Sequence, residues 1–245
     1  MTFGFFDSGM GGLLMMQSSN DILRGHSCVY LGDTKHLPYG PQSSEEILNH
    51  MTPCLLWLFE QKQCDYVVVA CNTASAQALG TFVAHYPLYQ DRVINIIDVT
   101  KQYLREHVPQ SDNLVVLATQ RTVRSGVYAH GLNHHITQVA MPGLVNLIEL
   151  GDIKGAQSMV SDALAYHSEA NTILLGCTHY IALEEELTRM YPNMNIIGQD
   201  IILNDYLVKF IVGSGTVNES HREYYVSQNP HNYTQTFSFP FQLFE

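Results

Sequence analysis

The chain has 245 residues, 46% hydrophobic and only 14% charged, against roughly 25% charged in an average globular protein, so a sizeable core is expected without a metal or disulfide staple. Its formal charge is −11 and its 12 Lys and Arg are scattered rather than striped, which excludes the footprint of a nucleic-acid binder and disfavours an acidic membrane surface. The opening MTFGFFDSGMGG has no basic start and no unbroken apolar stretch, so it reads as neither a signal peptide nor a membrane span, and the cytoplasm is the expected compartment.

Short apolar runs predict strands at Phe3 to Phe6, Cys28 to Leu31, Tyr66 to Ala70, Val93 to Ile97, Leu114 to Ala118, Thr172 to Leu175 and Asn195 to Ile197. Helical patterns lie between most of them. That alternation predicts an α/β class with doubly covered parallel sheets, because a right-handed crossover between parallel strands needs a helix. The first strand runs into Asp7-Ser8-Gly9-Met10-Gly11-Gly12, where Asp7 either caps a helix starting near Leu13 or offers a carboxylate to a substrate ammonium. This glycine cluster lacks the GxGxxG spacing and GK[ST] ending of nucleotide loops. The second strand leads to Gly32 to Gly40, whose Pro-Tyr-Gly turn can lay backbone amides over a ligand. Thr119 to Thr122, after the fifth strand, offers hydroxyls and N–H groups to a carboxylate. Either segment also reads as plain turn chemistry. His134-His135 is expected in a solvated turn, and the tail from Ser214 as a packed, irregular cover on the first lobe.

One plan occurs twice. A buried strand ends in Val-Ala-Cys71-Asn-Thr and gives way to a helix reaching about His85; another ends in Leu-Gly-Cys177-Thr-His and gives way to a helix reaching about Met190. The repeat predicts two similar doubly wound lobes, the first from residues 1–96 plus 205–245 and the second from residues 97–204. Both cysteines then sit at carboxyl ends of strands, where open α/β sheets bind ligands.

Five cysteines without CxxC pairs argue for free thiols in a reducing compartment, with Cys28, Cys54 and Cys64 as core residues. A thiol between a strand end and a helix start feels the positive end of the helix dipole, which is expected to lower its pKa from about 8.5. A single such cysteine is better read as a small residue at a tight junction. Two in matching positions suit a reaction that needs a base on one face of an α-carbon and an acid on the other. His179 can share the proton of Cys177. Cys177 and His179 as zinc ligands is the weaker alternative, since no CxxC or HxxxH supplies the remaining ligands.

FDSGMGGL (Phe6 to Leu13), YLGDTKHLPYG (Tyr30 to Gly40), VACNTASA (Val69 to Ala76), ATQRTVRSGVY (Ala118 to Tyr128) and GCTHY (Gly176 to Tyr180) together resemble the glutamate racemases of the aspartate/glutamate racemase family. They follow that family's order, and HREYYVSQNP extends the match more weakly. The resemblance implies two α/β lobes related by a pseudo-twofold axis, an active site in the cleft, and neither pyridoxal phosphate nor a metal. It assigns Cys71 to the D-enantiomer and Cys177 to the L-enantiomer, with Asp7, His179 and Glu149 assisting. By the same resemblance Ser8, Tyr39, Gly40, Asn72, Thr73, Thr119, Thr122 and Thr178 bind substrate. The expected activity is interconversion of L- and D-glutamate, supplying D-glutamate for peptidoglycan, with a small-molecule amino acid as partner and a homodimer as the assembly to test.

Three positions depart from the family pattern: Arg121 where Gly is usual, Met141 where Cys is usual, and Ile181 where Pro is usual. They keep open aspartate or another amino acid as substrate, and a paralogue that binds an amino acid or a protein without turnover. A Cys-dependent hydrolase would leave the second cysteine turn unexplained.

Overall fold

The computed structural model describes residues 1–213 and 220–244. Among the described residues ten strands form, most of them on the apolar runs: β1 Thr2–Asp7, β2 Ser27–Gly32, β3 Tyr66–Val69, β4 Val93–Asn95, β5 Asn113–Ala118, β6 His135–Ala140, β7 Thr172–Gly176, β8 Asn195–Gly198, β9 Arg222–Val226 and β10 Phe241–Leu243. They pair in parallel as a six-stranded sheet, β10-β9-β2-β1-β3-β4, and a four-stranded sheet, β6-β5-β7-β8. The central strands β2 and β7 are buried along their whole length, as strands covered on both faces must be.

The helices are α1 Gly11–Ser18, α2 Ser44–Glu60, α3 Asn72–Gln77, α4 Leu79–His85, α5 Ile96–His107, α6 Gln120–Ser125, α7 Leu144–Glu149, α8 Ile153–Leu164, α9 Glu184–Met190, α10 Gln199–Phe210 and α11 Pro230–Phe237. Alternation along the strands sends side chains to two sides. Phe3, Phe5 and Val68 of the first sheet meet Leu114, Val116 and Leu174 of the second in one central core, filled by α1, α5 and α10. Phe6, Leu31 and Val69 face an outer core with α2, while Leu117, Ile173 and Leu175 face another with α8. None of the described helices is long and apolar enough to cross a membrane.

The chain-order pattern β4-β3-β1-β2 recurs as β8-β7-β5-β6, so the lobes repeat one topology. α5 carries the chain from the first sheet to the second, and α10 carries it back. Register does the rest. Phe6 pairs with Val69, which sets Ser8 level with Cys71, and Ala118 pairs with Gly176, which sets Thr119 level with Cys177.

Several local expectations are corrected. His135 does not lie in a turn; it opens edge strand β6, whose polar-apolar alternation His-Ile-Thr-Gln-Val-Ala fits a half-exposed strand. The Val93 to Ile97 run stops at Asn95, whose side chain accepts the Ile97 N–H at 3.0 Å and starts α5, so capping overrides β-branched propensity. Helix α1 starts at Gly11, two residues before Leu13, and the helix after Cys71 breaks at Ala78. The tail is regular rather than irregular: β9 extends the first sheet on β2, and α11 leads to β10 beside β9. Its first residues, 214–219, lie outside the described residues.

Candidate active site

The carboxyl ends of β1, β3, β5 and β7 converge on one cavity of about 170 Å³, with Cys71 and Cys177 both in its lining. Cys71 caps α3, its Sγ accepting the Ala74 N–H at 3.5 Å, and Ser8 Oγ lies 3.3 Å from the same sulfur. The sequence reading expected a lowered thiol pKa here; the structure reverses it. Burial first, and the charge of Asp7 second, push the Cys71 thiol up to about 12, and the Ser8 and Ala74 donors only partly offset them. In this state Cys71 carries its proton.

Cys177 precedes a 3₁₀ turn, Thr178–Leu183. Its neighbour His179 is buried, and its Nε2 lies 2.6 Å from Glu149 Oε1 at the end of α7. Burial alone would lower the His179 pKa, but hydrogen bonds to Cys177 and Glu149, with the charges of Cys177 and Asp7, raise it to about 10. The imidazole is therefore a cation at neutral pH, placed to compensate negative charge at Cys177.

Asp7 links the lobes. Its Oδ2 accepts the Gly12 N–H at 2.8 Å and the Thr178 hydroxyl at 3.3 Å, leaving Oδ1 buried without a partner beside the cavity. Asp7 is not the N-cap of α1, which is Met10, but its carboxylate accepts an N–H of the helix's first turn and also lines the cavity. Close approach is required here, since a Cβ on Gly11 would stand 2.3 Å from Thr178 Oγ1 and 2.7 Å from the His179 backbone nitrogen.

A chain of hydroxyls spans the cleft from Thr73 to Thr119 at 2.9 Å and from Thr119 to Thr122 at 3.0 Å. Tyr39 and Gly40 form another wall. Tyr39 OH donates to Asp33 Oδ2 at 2.7 Å, and Asp33 also accepts from His36 Nδ1 at 2.9 Å and from Ser227 Oγ at 2.8 Å. Asn72 lines the cavity, but its side-chain amide is engaged with Gln199 and Tyr128. Among the described residues no Lys or Arg lines the cavity, and a carboxylate bound there meets N–H groups, hydroxyls and His179. Two thiols, a carboxylate and an imidazolium around one small cavity are equipped to move a proton.

The model of the Asp/Glu/hydantoin racemase family matches residues 10–204. The chain belongs to this family. It is an amino-acid racemase, an isomerase. The glutamate racemase of Carboxydothermus hydrogenoformans is 34% identical over 205 residues, covering 79% of this chain and 74% of its own length. That of Aquifex aeolicus is 33% identical over 223 residues, covering 88% and 85%. The crystal structure of a glutamate racemase isoform from Bacillus anthracis is similar in fold, with a TM-score of 0.85 at 24% identity over 100% of this chain and 97% of that one.

Against this background the racemase's departures from the family pattern separate. Met141 lines the cavity. Arg121 does not; its carbonyl accepts from Gln77 Nε2 at 3.2 Å. Ile181 packs on the central core. Among the other expected residues, Asp7, Ser8, Tyr39, Gly40, Cys71, Asn72, Thr73, Thr119, Cys177, Thr178 and His179 come together in the lining, while Thr122 and Glu149 stand behind Thr119 and His179. Sequence reasoning missed the wall that the racemase builds from Gly143, Val145 and Asn146 where α7 begins, and Gly143 holds a left-handed φ of 87° there. It also missed Gln120 at the start of α6. A glycine just before a helix, in a segment bearing a helper acid, was the available signal.

Proposed function

We propose that this racemase interconverts L- and D-glutamate by proton transfer between two bases, Cys71 and Cys177. The observation carrying the reading is that these thiols end equivalent strands, β3 and β7, of two lobes with one topology, and line the same cavity. Glutamate as substrate is supported by the relatives named above.

In the L to D direction the Cys177 thiolate takes the α-proton, with the His179 cation compensating the sulfur's charge before the transfer. The resulting carbanion, its charge spread into the α-carboxylate, takes a proton on the opposite face from the Cys71 thiol. Turnover leaves Cys177 protonated and Cys71 as thiolate, the state from which D-glutamate reacts. The raised pKa of Cys71 keeps that thiol protonated, the state in which it can donate to a carbanion formed from the L-enantiomer. An α-proton is far less acidic than a thiol. N–H groups and the Thr73 and Thr119 hydroxyls supply stabilisation of the developing charge. Asp7 Oδ1, buried and unpartnered, suits a substrate ammonium. D-glutamate for peptidoglycan is the proposed product.

The test is appearance of deuterium at the α-carbon in deuterated buffer, with L- and D-glutamate and both aspartates side by side. Wild type is expected to exchange glutamate fastest, and Cys71→Ser and Cys177→Ser each to stop racemisation. Full activity in the double variant would refute the mechanism, and faster exchange of aspartate would refute the substrate.

A further inference from the structure

Next to Cys71 in the chain lies a closed ring of two side-chain amides. Asn72, the first residue of α3, donates from Nδ2 to Gln199 Oε1 at 2.5 Å, and Gln199 Nε2 donates back to Asn72 Oδ1 at 3.1 Å. Tyr128 OH donates to Asn72 Oδ1 at 2.6 Å and accepts from Gln199 Nε2 at 2.9 Å. The same Nε2 reaches Thr100 Oγ1 at 2.9 Å, whose hydroxyl donates to the Ile96 carbonyl at 2.7 Å. Gln199, Thr100 and Tyr128 are fully buried and Asn72 nearly so.

The placement of these four residues matters as much as their bonds. Asn72 follows the thiol of the first lobe, Tyr128 follows α6 in the second, and Thr100 and Gln199 lie on the two connecting helices α5 and α10. A polar network in an apolar core is tolerated when its members are satisfied and becomes costly when one is removed, so it fixes one arrangement of the groups that it joins. The arrangement fixed here is the first turn of α3, whose N-cap is the Cys71 sulfur itself. Cys177 has no bond from this network. Its turn is tied instead through Thr178 to Asp7 and through His179 to Glu149.

We propose that Gln199 is a positioning residue for Cys71, holding Asn72 so that the junction between the lobes sets the aim of this one thiol and not that of Cys177. The inference deepens the two-thiol reading and rests on it. Gln199 acts through Asn72 and touches no substrate.

The experiment compares wild type with Gln199→Met, which keeps the volume but removes both amide bonds. The two enantiomers have equal free energy, so kcat/KM must fall equally in both directions for any variant and cannot reveal which thiol is affected. Primary isotope effects on kcat/KM with α-deuterated D- and L-glutamate can. The expected result is a loss in kcat/KM on the order of 10- to 100-fold. With it, the isotope effect should rise for the enantiomer whose proton Cys71 removes and fall toward unity for the other, because the Cys71 transition state becomes the higher of the two. Tyr128→Phe, which removes the donor to Asn72 and one acceptor of Gln199 Nε2 but leaves the amide pair, is expected to move the isotope effects the same way by less, and it stands in if Gln199→Met does not fold. Thr100→Val removes one acceptor of Gln199 Nε2 but leaves the amide pair and Tyr128, and is expected to move the isotope effects far less than Gln199→Met. Lost activity with an unchanged pair of isotope effects overturns the proposal, as does an equal response in Thr100→Val. A wild type that exchanges no α-proton of glutamate overturns the underlying reading instead.

Discussion

Replacing Glu149 by Gln asks what keeps His179 charged. His179 is buried, yet its pKa stands at about 10 against an ordinary 6.5, a difference of 10 − 6.5 = 3.5 units, or about 5 kcal/mol in favour of the cation. One carboxylate at close range shifts a neighbour's pKa by about 1 to 3 units, and Glu149 Oε1 lies 2.6 Å from Nε2. The variant is therefore expected to lower the His179 pKa from about 10, the rest of the rise staying with Cys177 and Asp7. Because the folded-state value is raised, the stabilisation from the charged ring is fully present below pH 6.5 and lost as pH climbs through 10. In Glu149→Gln the upper end of that window moves down. Titration of the His179 ring nitrogens by NMR reads the shift, and the alkaline limb of kcat/KM should move with it. If His179 titrates at the same pH in both proteins, the carboxylate is not what holds the proton.

Two further outcomes follow from particular contacts. Gly11→Ala forces a methyl against Thr178 and the His179 backbone, and a backbone nitrogen cannot swing aside, so a destabilisation of about 1–3 kcal/mol is expected in urea denaturation. A variant as stable as wild type would mean that α1 can shift without cost. With its pKa near 12, Cys71 in the substrate-free protein should react with iodoacetamide at pH 8 on the order of a hundredfold more slowly than a free cysteine, after allowance for the greater nucleophilicity of a more basic thiolate. Labelling at the free-cysteine rate would contradict the raised pKa.

The strand, cysteine, helix plan was readable because its parts are local: an apolar run, a small residue, a thiol and a polar residue within six positions. The same locality exposed Thr119 and the Tyr39 turn. What escaped the sequence depends on partners far apart along the chain. Asn72 looked like a substrate ligand, but its amide is claimed by Gln199, 127 residues away. The sign of the Cys71 shift was misread for a related reason: a helix start is visible in sequence, whereas complete burial beside the Asp7 charge is a property of the folded neighbourhood. Strands β6 and β9 were missed because β6 is a half-exposed edge that carries polar residues and β9 opens on Arg222 and Glu223, so neither has the solid apolar run of a central strand.

The order of strands also has a consequence for synthesis. Strands β5 to β8 all lie between residues 113 and 198, so the four-stranded sheet is complete as soon as its own segment has left the ribosome. The six-stranded sheet has to wait. β2 acquires its outer neighbour only when β9 arrives, Cys28 pairing with Arg222 across 194 residues. Until then a nascent chain carries as a bare edge a strand that the folded protein buries along its whole length, the kind of surface on which other chains pair. The inserted lobe thus makes the first half of the protein the last to be finished, and makes the C-terminal strands the guard of its most aggregation-prone edge.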